Sequence, residues 1–251
     1  MTLRVLSALR NADVVACEDT RRTRQLLDRY GVRARTVSYH EHNEPARASE
    51  LVARMQAGEV VALVSDAGMP LVSDPGYVLV QACVAAGLEV EVLPGPSAAL
   101  AALVASALPA DVWRFVGFLP RKKAALAGVL SSPETVVAFE SPKRVAGSLR
   151  VLAGLDPARP VAVCRELTKI HEEVVRGTAS ELAERYAAAE PRGEVVLVIG
   201  GAPEGTGEED VAIDAVRRLV EAGARTRAAA SVVAELTGVP ANTLYRAVAE
   251  R

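Results

Sequence analysis

Residues Val60–Gly76 read "VVALVSDAGMPLVSDPG". Five apolar residues, three of them valine, form a short run with the composition of a buried strand. The run stops at Ser65. From there to Gly76 come two Ser-Asp pairs, two glycines and two prolines, which continue neither a strand nor a helix. Gly68 and Gly76 permit positive φ or close backbone approach, and Pro70 and Pro75 stiffen the chain around them. Asp66 and Asp74 are placed to cap the next helix, and Asp66 can accept hydrogen bonds from ribose hydroxyls.

Working outward, "ADVVAC" (12–17) and "LEVEVLPG" (88–95) also read as short buried strands. "EPARASELVARMQAG" (44–58) between them reads as a helix, with Glu44-Pro45 at its start and Gly58 at its end. This alternation predicts an α/β fold in which a parallel sheet carries helices on both faces. Ligands in such sheets bind at the carboxyl ends of the strands. "LPGPSAAL" (93–100) repeats the Gly/Pro design, with Ser97 as an N-cap. Two stiff loops at strand ends suit a nucleotide-like ligand, with ordinary βα turns as the alternative.

"LPADVWRFVGFLPRKK" (108–123) interrupts the alternation and places a domain boundary near Pro109. A second α/β domain follows, with strands in "TVVAFES", "PVAVCREL", "HEEVVRGT" and "GEVVLVIGG" and a helix in "SELAERYAAAE". "GAPEGTGEED" (201–210) reads as a linker. The tail from Val211 is helical in pattern, with a turn at Thr237-Gly238 and the spacing of a helix-turn-helix. The expected domains are 1–109, 110–202 and a helical extension over 211–251. The tail is only mildly basic, so packing or dimer contacts and contact with RNA are equally open roles.

Half of the 251 residues are hydrophobic and 24% are charged, as in soluble globular proteins. The formal charge of −2 advertises no global affinity for nucleic acid, so local charge matters. Cys17, Cys83 and Cys164 show no C-x-x-C spacing, which indicates neither a disulfide framework nor a zinc site. "SAALAALVASAL" (97–108) is uncharged but too short to span a bilayer, and reads as a buried core helix. With no signal peptide pattern, the expected location is cytoplasmic, with no membrane association.

Neither G-x-G-x-x-G nor a Walker A loop is present, nor a serine nucleophile elbow. "ACEDTRRTRQLLDRYGVRART" instead sets Glu18 and Asp19 at a strand end, followed by six arginines between Arg21 and Arg35 and one acid, Asp28. A carboxylate pair beside a basic helix suits a polyanionic substrate; a solvated arginine face is the bland reading. "SYHEHNE" (38–44) holds His40 and His42, which would point to opposite sides of a strand, so no metal is expected. "FESPKR" and "CRELTKIHEE" place further polar clusters at strand ends, and one cleft shared by two domains accounts for them together.

These motifs, with "FVGFLPRK", occur here in the order and at the intervals of the RsmI-type small-subunit ribosomal RNA (cytidine 2′-O)-methyltransferases of the tetrapyrrole methylase superfamily, which the chain resembles from about Leu3 to Gly200. The resemblance implies two α/β domains, the second with a mixed sheet, S-adenosylmethionine between them, and a homodimer. By motif match Asp66, Ala67, Gly68, Met69 and Pro70, with Ser97 and Ala98, would hold that cofactor. It implies methyl transfer to a cytidine ribose 2′-oxygen in 16S ribosomal RNA, with no metal. Glu18 or Asp19 would accept the proton, Arg21 would clamp substrate, and Arg165 or Lys169 would assist from the second domain. Arg22, Arg24, Arg121, Lys122, Lys143 and Arg144 would grip RNA phosphates, as would the arginine-rich stretch 21–35 generally and the C-terminal helices.

The family pattern opens with a strand into "T-P-I-G-N-L" and then "D-I-T-L-R-A-L". This chain starts at "MTLRVLSALRNADVVACEDTR", so a first strand and a Gly/Pro loop are expected to be missing and activity reduced. A small-molecule methyltransferase acting on a porphyrinoid precursor or modified amino acid, and a non-catalytic RNA-binding relic, are the alternatives.

Overall fold

The computed structural model describes residues 1–203 and 207–249. The chain divides into two compact units, Met1–Ala101 and Ala102–Arg251.

In the first unit the order is α1 (Leu3–Asn11), β1 (Val14–Cys17), α2 (Thr20–Arg29), β2 (Arg35–Ser38), α3 (Glu44–Gln56), β3 (Val61–Val64), α4 (Tyr77–Ala85) and α5 (Ala98–Ser106), which runs on past the division. The three strands form a parallel sheet in the order β2-β1-β3, with Val14 opposite both Arg35 and Val61. Because side chains alternate along a strand, the sheet serves two cores. Val14 and Ala16 pack with Leu51 of α3 and with Leu79 and Cys83 of α4. Val15 packs on the other face with Leu9 of α1 and Leu27 of α2. All four residues of β1 are sealed from solvent, as expected for a strand with a neighbour on each edge and helices on each face.

The expected strand in "LEVEVLPG" does not form. β3 ladders only to β1, and no described strand pairs with residues 88–93. Extended, apolar sequence becomes a strand only where a neighbour completes its hydrogen bonds. Val90 and Val92 are accordingly exposed, and Glu91 is ion-paired to Arg4 of α1. The uncharged 97–108 stretch does form a helix, α5, but only one face is buried: Ala99, Ala102 and Leu103 are covered while Val104 is 82% exposed.

The second unit continues with β4 (Trp113–Phe118), α6 (Lys123–Leu130), β5 (Thr135–Glu140), α7 (Pro142–Leu155), β6 (Pro160–Arg165), β7 (Glu173–Thr178), α8 (Ala179–Ala188) and β8 (Val195–Ile199). Its sheet is mixed, in the order β4-β5-β8-β6-β7, with β4 and β5 parallel and the other pairs antiparallel. β4 is the strand that pattern reading passes over. It lies between two prolines, and Gly117 at φ 64° shifts its register. One core joins β5, β6 and β8 to α6, α7 and α8.

Helices α9 (Gly207–Glu221), α10 (Thr226–Thr237) and α11 (Ala241–Ala249) share a separate core around Val216, Val233 and Leu244. Gly238 at φ 76° ends α10 in the left-handed conformation expected of the turn. Of the expected linker, residues 204–206 lie outside the described residues, and Gly207 already begins α9. Among the described residues no helix is long and apolar enough to cross a membrane.

Candidate active site

A parallel sheet brings the carboxyl ends of its strands to one edge. Here those ends deliver Glu18 and Asp19 after β1, His40 after β2 and Asp66 after β3. The backbone N–H of Asp19 donates to the Asp66 carboxylate at 3.3 Å, so the carboxylate pair and the Gly/Pro loop are neighbours. Arg22 pairs with the same Asp66 carboxylate at 3.2 Å.

The carboxylates of Glu18 and Asp19 differ in what they do. Asp19 is the N-cap of α2, accepting from the N–H groups of Arg21 and Arg22, and it also meets the Arg21 guanidinium. The Arg21 backbone and side-chain hydrogen bonds hold its pKa below the usual carboxylate range. Glu18 is exposed, and among the described residues nothing hydrogen-bonds its carboxylate. The Arg21 side chain is largely exposed. Arg24 donates to the Thr36 hydroxyl at 3.3 Å.

The loop after β3 is strained and closed. Gly68 and Gly76 have φ of 76° and 140°, as their sequence positions suggest, but Leu71 (72°) and Ser73 (65°) also occupy the left-handed region. The sequence pattern assigns the cap of the next helix to Asp66 or Asp74; the cap of α4 is instead Gly76. A side chain there would sit 2.6 Å from Leu71 Cδ1 and 2.8 Å from Leu63 Cδ2. The free N–H of Gly76 is taken by Glu44, whose Oε1 accepts it at 2.5 Å. Beside it the Tyr39 hydroxyl accepts from Leu79 N–H at 3.2 Å. Burial, and then the Glu44 charge, push the Tyr39 phenol up, so it stays neutral. Sequence reading misses both tethers. Glu44 reads as an ordinary first-turn acid, and nothing local announces a partner 32 residues away.

The two Gly/Pro loops touch. A Cβ on Gly95 would lie 3.3 Å from Met69 Cγ, and one on Gly68 would lie 3.6 Å from the Pro96 carbonyl. Ala67, Gly68, Gly95 and Pro96 are exposed, and the Ala67 carbonyl accepts from the Ser65 hydroxyl at 3.3 Å. Ser97 accepts from Leu100 N–H at 3.3 Å, the expected N-cap, with Ala98 opening α5. This surface is lined by backbone whose turns glycine permits, and Glu44 tethers the far end of its first loop.

His40 and His42 lie in a turn after β2 rather than within a strand, so they do not point apart: their rings meet edge-on at 5.9 Å. Among the described residues no group of three or more His, Cys, Asp or Glu is placed to hold a metal. The three cysteines are buried, and burial pushes their thiols up, Cys164 to about 11.

In the second unit three of the six expected cations are engaged internally. Arg165 pairs with Glu173 at 2.7 Å, and Lys169 with Glu166 at 2.8 Å and Glu194 at 3.2 Å. Arg144 donates to the carbonyls of Leu119 and Pro120, both at 2.9 Å, and faces the fully buried Glu140 at 3.3 Å. Glu140 accepts in addition from Ser148 Oγ at 2.6 Å and Ser141 N–H at 2.8 Å. Arg144 thus fastens the base of the loop that carries Arg121 and Lys122, both exposed, as is Lys143.

The fold and these loops define a class. Residues 1–183 match the family described as Tetrapyrrole (Corrin/Porphyrin) Methylases. "Ribosomal RNA small subunit methyltransferase I" of Mesorhizobium japonicum is 47% identical over 100% of this chain and 87% of its own length. The protein of that name from Escherichia coli O157:H7 is 41% identical over 100% and 90%. Among solved structures, uroporphyrin-III-C-methyltransferase from Thermus thermophilus aligns with TM-score 0.57 and 26% identity, covering 80% of this chain and 87% of that one. The same enzyme complexed with S-adenyl homocysteine aligns with TM-score 0.55 and 24% identity, covering 80% and 90%. The chain belongs to the tetrapyrrole methylase family, in its branch of small-subunit ribosomal RNA methyltransferases I.

Proposed function

We propose that this chain methylates the 2′-oxygen of a cytidine ribose in 16S ribosomal RNA, with S-adenosylmethionine as methyl donor. The observation that supports the reading is the Asp19–Asp66 contact, which joins a carboxylate pair and the start of a basic helix to the Gly/Pro loop after β3. The names of the 47% and 41% identical relatives point to the same substrate.

S-adenosylmethionine supplies an activated methyl group on a sulfonium. The protein's own task is then placement and proton management. The backbone of Asp66, Ala67, Gly68, Met69 and Pro70, with Ser97 and Ala98, seats the donor's nucleoside part. Glu18 accepts the hydroxyl proton, because Asp19 is committed to its cap and held at low pKa, a poor base. Arg21 clamps the acceptor strand near the Asp19 cap. Arg165 and Lys169 hold acids of their own unit, Glu173 and Glu166 with Glu194, and order the segment 165–173. Arg22, Arg24, Arg121, Lys122 and Lys143 meet phosphates; Arg144 supports the 119–122 segment beneath them. The chain acts in the cytoplasm as a homodimer.

Transfer of labelled methyl from S-adenosylmethionine to small-subunit ribosomal RNA, against a uroporphyrinogen control, tests the reading. Label in RNA, located at a cytidine 2′-oxygen, is the expected result. Label only in the porphyrinoid would overturn the substrate, and no donor binding by calorimetry would overturn the activity.

A further inference from the structure

A second basic feature lies at the other end of β2. There α2, the turn after it and the first residues of β2 enclose a cavity of about 360 Å³, into whose wall Arg24, Arg33 and Arg35 all enter. β2 is an outer strand of its sheet. The turn is fixed by Gly31 at φ 62° and by Val32 N–H donating to the Leu27 carbonyl at 2.9 Å. Leu27 and Val32, both buried, supply an apolar floor.

The charge there is uncompensated. Several other arginines are ion-paired: Arg22 with Asp66, Arg54 with Glu59, Arg165 with Glu173. Among the described residues no carboxylate lies within 4.0 Å of the Arg24, Arg33 or Arg35 guanidinium groups, although Asp28 shares the wall. Three guanidinium forks on one concavity, in a chain of formal charge −2, is a local concentration of charge that favours a polyanion.

We infer that this cavity is a distal phosphate seat for the RNA strand, separate from the reacting end of the sheet. This rests on the proposed RNA substrate. Arg35 opens β2 and Ser38 closes it, so the seat lies about 10 Å along the strand from the edge carrying Glu18 and Asp66. α2 spans roughly 15 Å, with Arg21 and Arg22 at its start and Arg24, one turn along, already in the wall of the seat. The backbone of nucleotides flanking the target would follow that track. The guanidinium groups would read charge and geometry, not base identity.

The test is RNA affinity across salt concentration for wild type, Arg33→Ala/Arg35→Ala and Arg10→Ala, the last removing an exposed arginine of α1 outside the cavity wall. Each lost phosphate contact lowers the slope of log K against log salt by about 0.7–0.9. The double variant should lose about 1.5 in slope and raise the RNA KM roughly tenfold or more. Its donor affinity and thermal midpoint should stay with the wild type. A slope equal to wild type, or an equal fall in Arg10→Ala, overturns the seat. Saturation by inorganic phosphate with RNA affinity indifferent to the double substitution also overturns it, in favour of a small-anion site. Wild type that neither binds nor methylates RNA would instead sink the functional reading.

Discussion

The Glu44 carboxylate accepts the backbone N–H of Gly76 at 2.5 Å, joining the start of α3 to the far end of the loop after β3. That loop holds two non-glycine residues at positive φ, each costing of order 1–3 kcal/mol, and such conformations persist only where surroundings over-determine them. Glu44 and Tyr39 are those surroundings. Glu44→Ala should weaken S-adenosylmethionine binding about tenfold or more, since hydrogen bonds to charged groups contribute about 1.5–3 kcal/mol. Glu44→Gln, which keeps an acceptor, should recover part of the loss. Calorimetry with a parallel thermal melt checks this; equal affinity for all three proteins would show that the tether does not position the loop.

Gly76→Ala meets two obstacles together, a φ of 140° and two leucine methyl groups under 3 Å from the new Cβ. Chemical denaturation should register a loss of about 3 kcal/mol or more. Gly58→Ala is the control, because its added Cβ meets nothing within 4 Å and only the positive φ is at stake.

The two carboxylates after β1 should separate in kinetics. Glu18→Gln is expected to lower kcat roughly 100-fold, the usual size of a general-base contribution, with little change in donor affinity. Asp19→Asn should act mainly through the start of α2, as a lower thermal midpoint with kcat retained. Single-turnover methylation at saturating RNA distinguishes them, and the opposite pattern would exchange their roles.

Arg144→Ala should behave as a folding defect before an RNA-binding defect. It leaves Glu140, a fully buried carboxylate, without its cation, and breaking a buried pair costs about 3–5 kcal/mol. Lys143→Ala, next in the chain but exposed, should leave the melt unchanged and lower only RNA affinity.

Stability of the segment 166–173 should have two pH limits. The Lys169 hydrogen bond holds Glu166 below the ordinary glutamate value of about 4.5, and Arg165 does the same for Glu173. A depressed carboxylate stabilises fully above its unfolded value, and the contribution is lost as pH falls through the folded one. Lys169 is raised above the ordinary value of about 10.5 by Glu166, so its share is full below that value and lost as pH rises through the folded one. Amide exchange at Glu194 N–H, which donates to Glu166 at 2.9 Å, should therefore quicken at both extremes. Lys169→Met should reduce this dependence at both ends.

Much of the fold is readable in the chain. "VVLVI" forms a fully buried strand as its composition suggests, "VVALV" forms a strand but a partly exposed outer one, and Gly68, Gly76 and Gly238 stand where positive φ is required. Family membership is legible too, because seven short motifs fall in register. What local pattern does not show is partnership. "LEVEV" has strand composition and no ladder, and β4 has a ladder despite poor composition. His40 and His42 meet because the chain turns where alternation would have continued. Arg144 looks like a phosphate grip until Leu119, Pro120 and Glu140 are found around it. Long-range tethers such as Glu44 to Gly76 leave no trace in either residue's neighbourhood.

The sealing of β1 also bears on how such a protein can change over generations. Val14 and Val15 answer to different cores, so replacing either disturbs a separate layer of helices and is purged. The residues just beyond Cys17 and Val64 lie outside both cores, held by caps and ion pairs such as those of Asp19 and Asp66. Drift is therefore channelled to one rim of a rigid slab. One ancestral architecture can in this way come to serve acceptors as unlike as a tetrapyrrole and a ribosomal RNA without being redesigned.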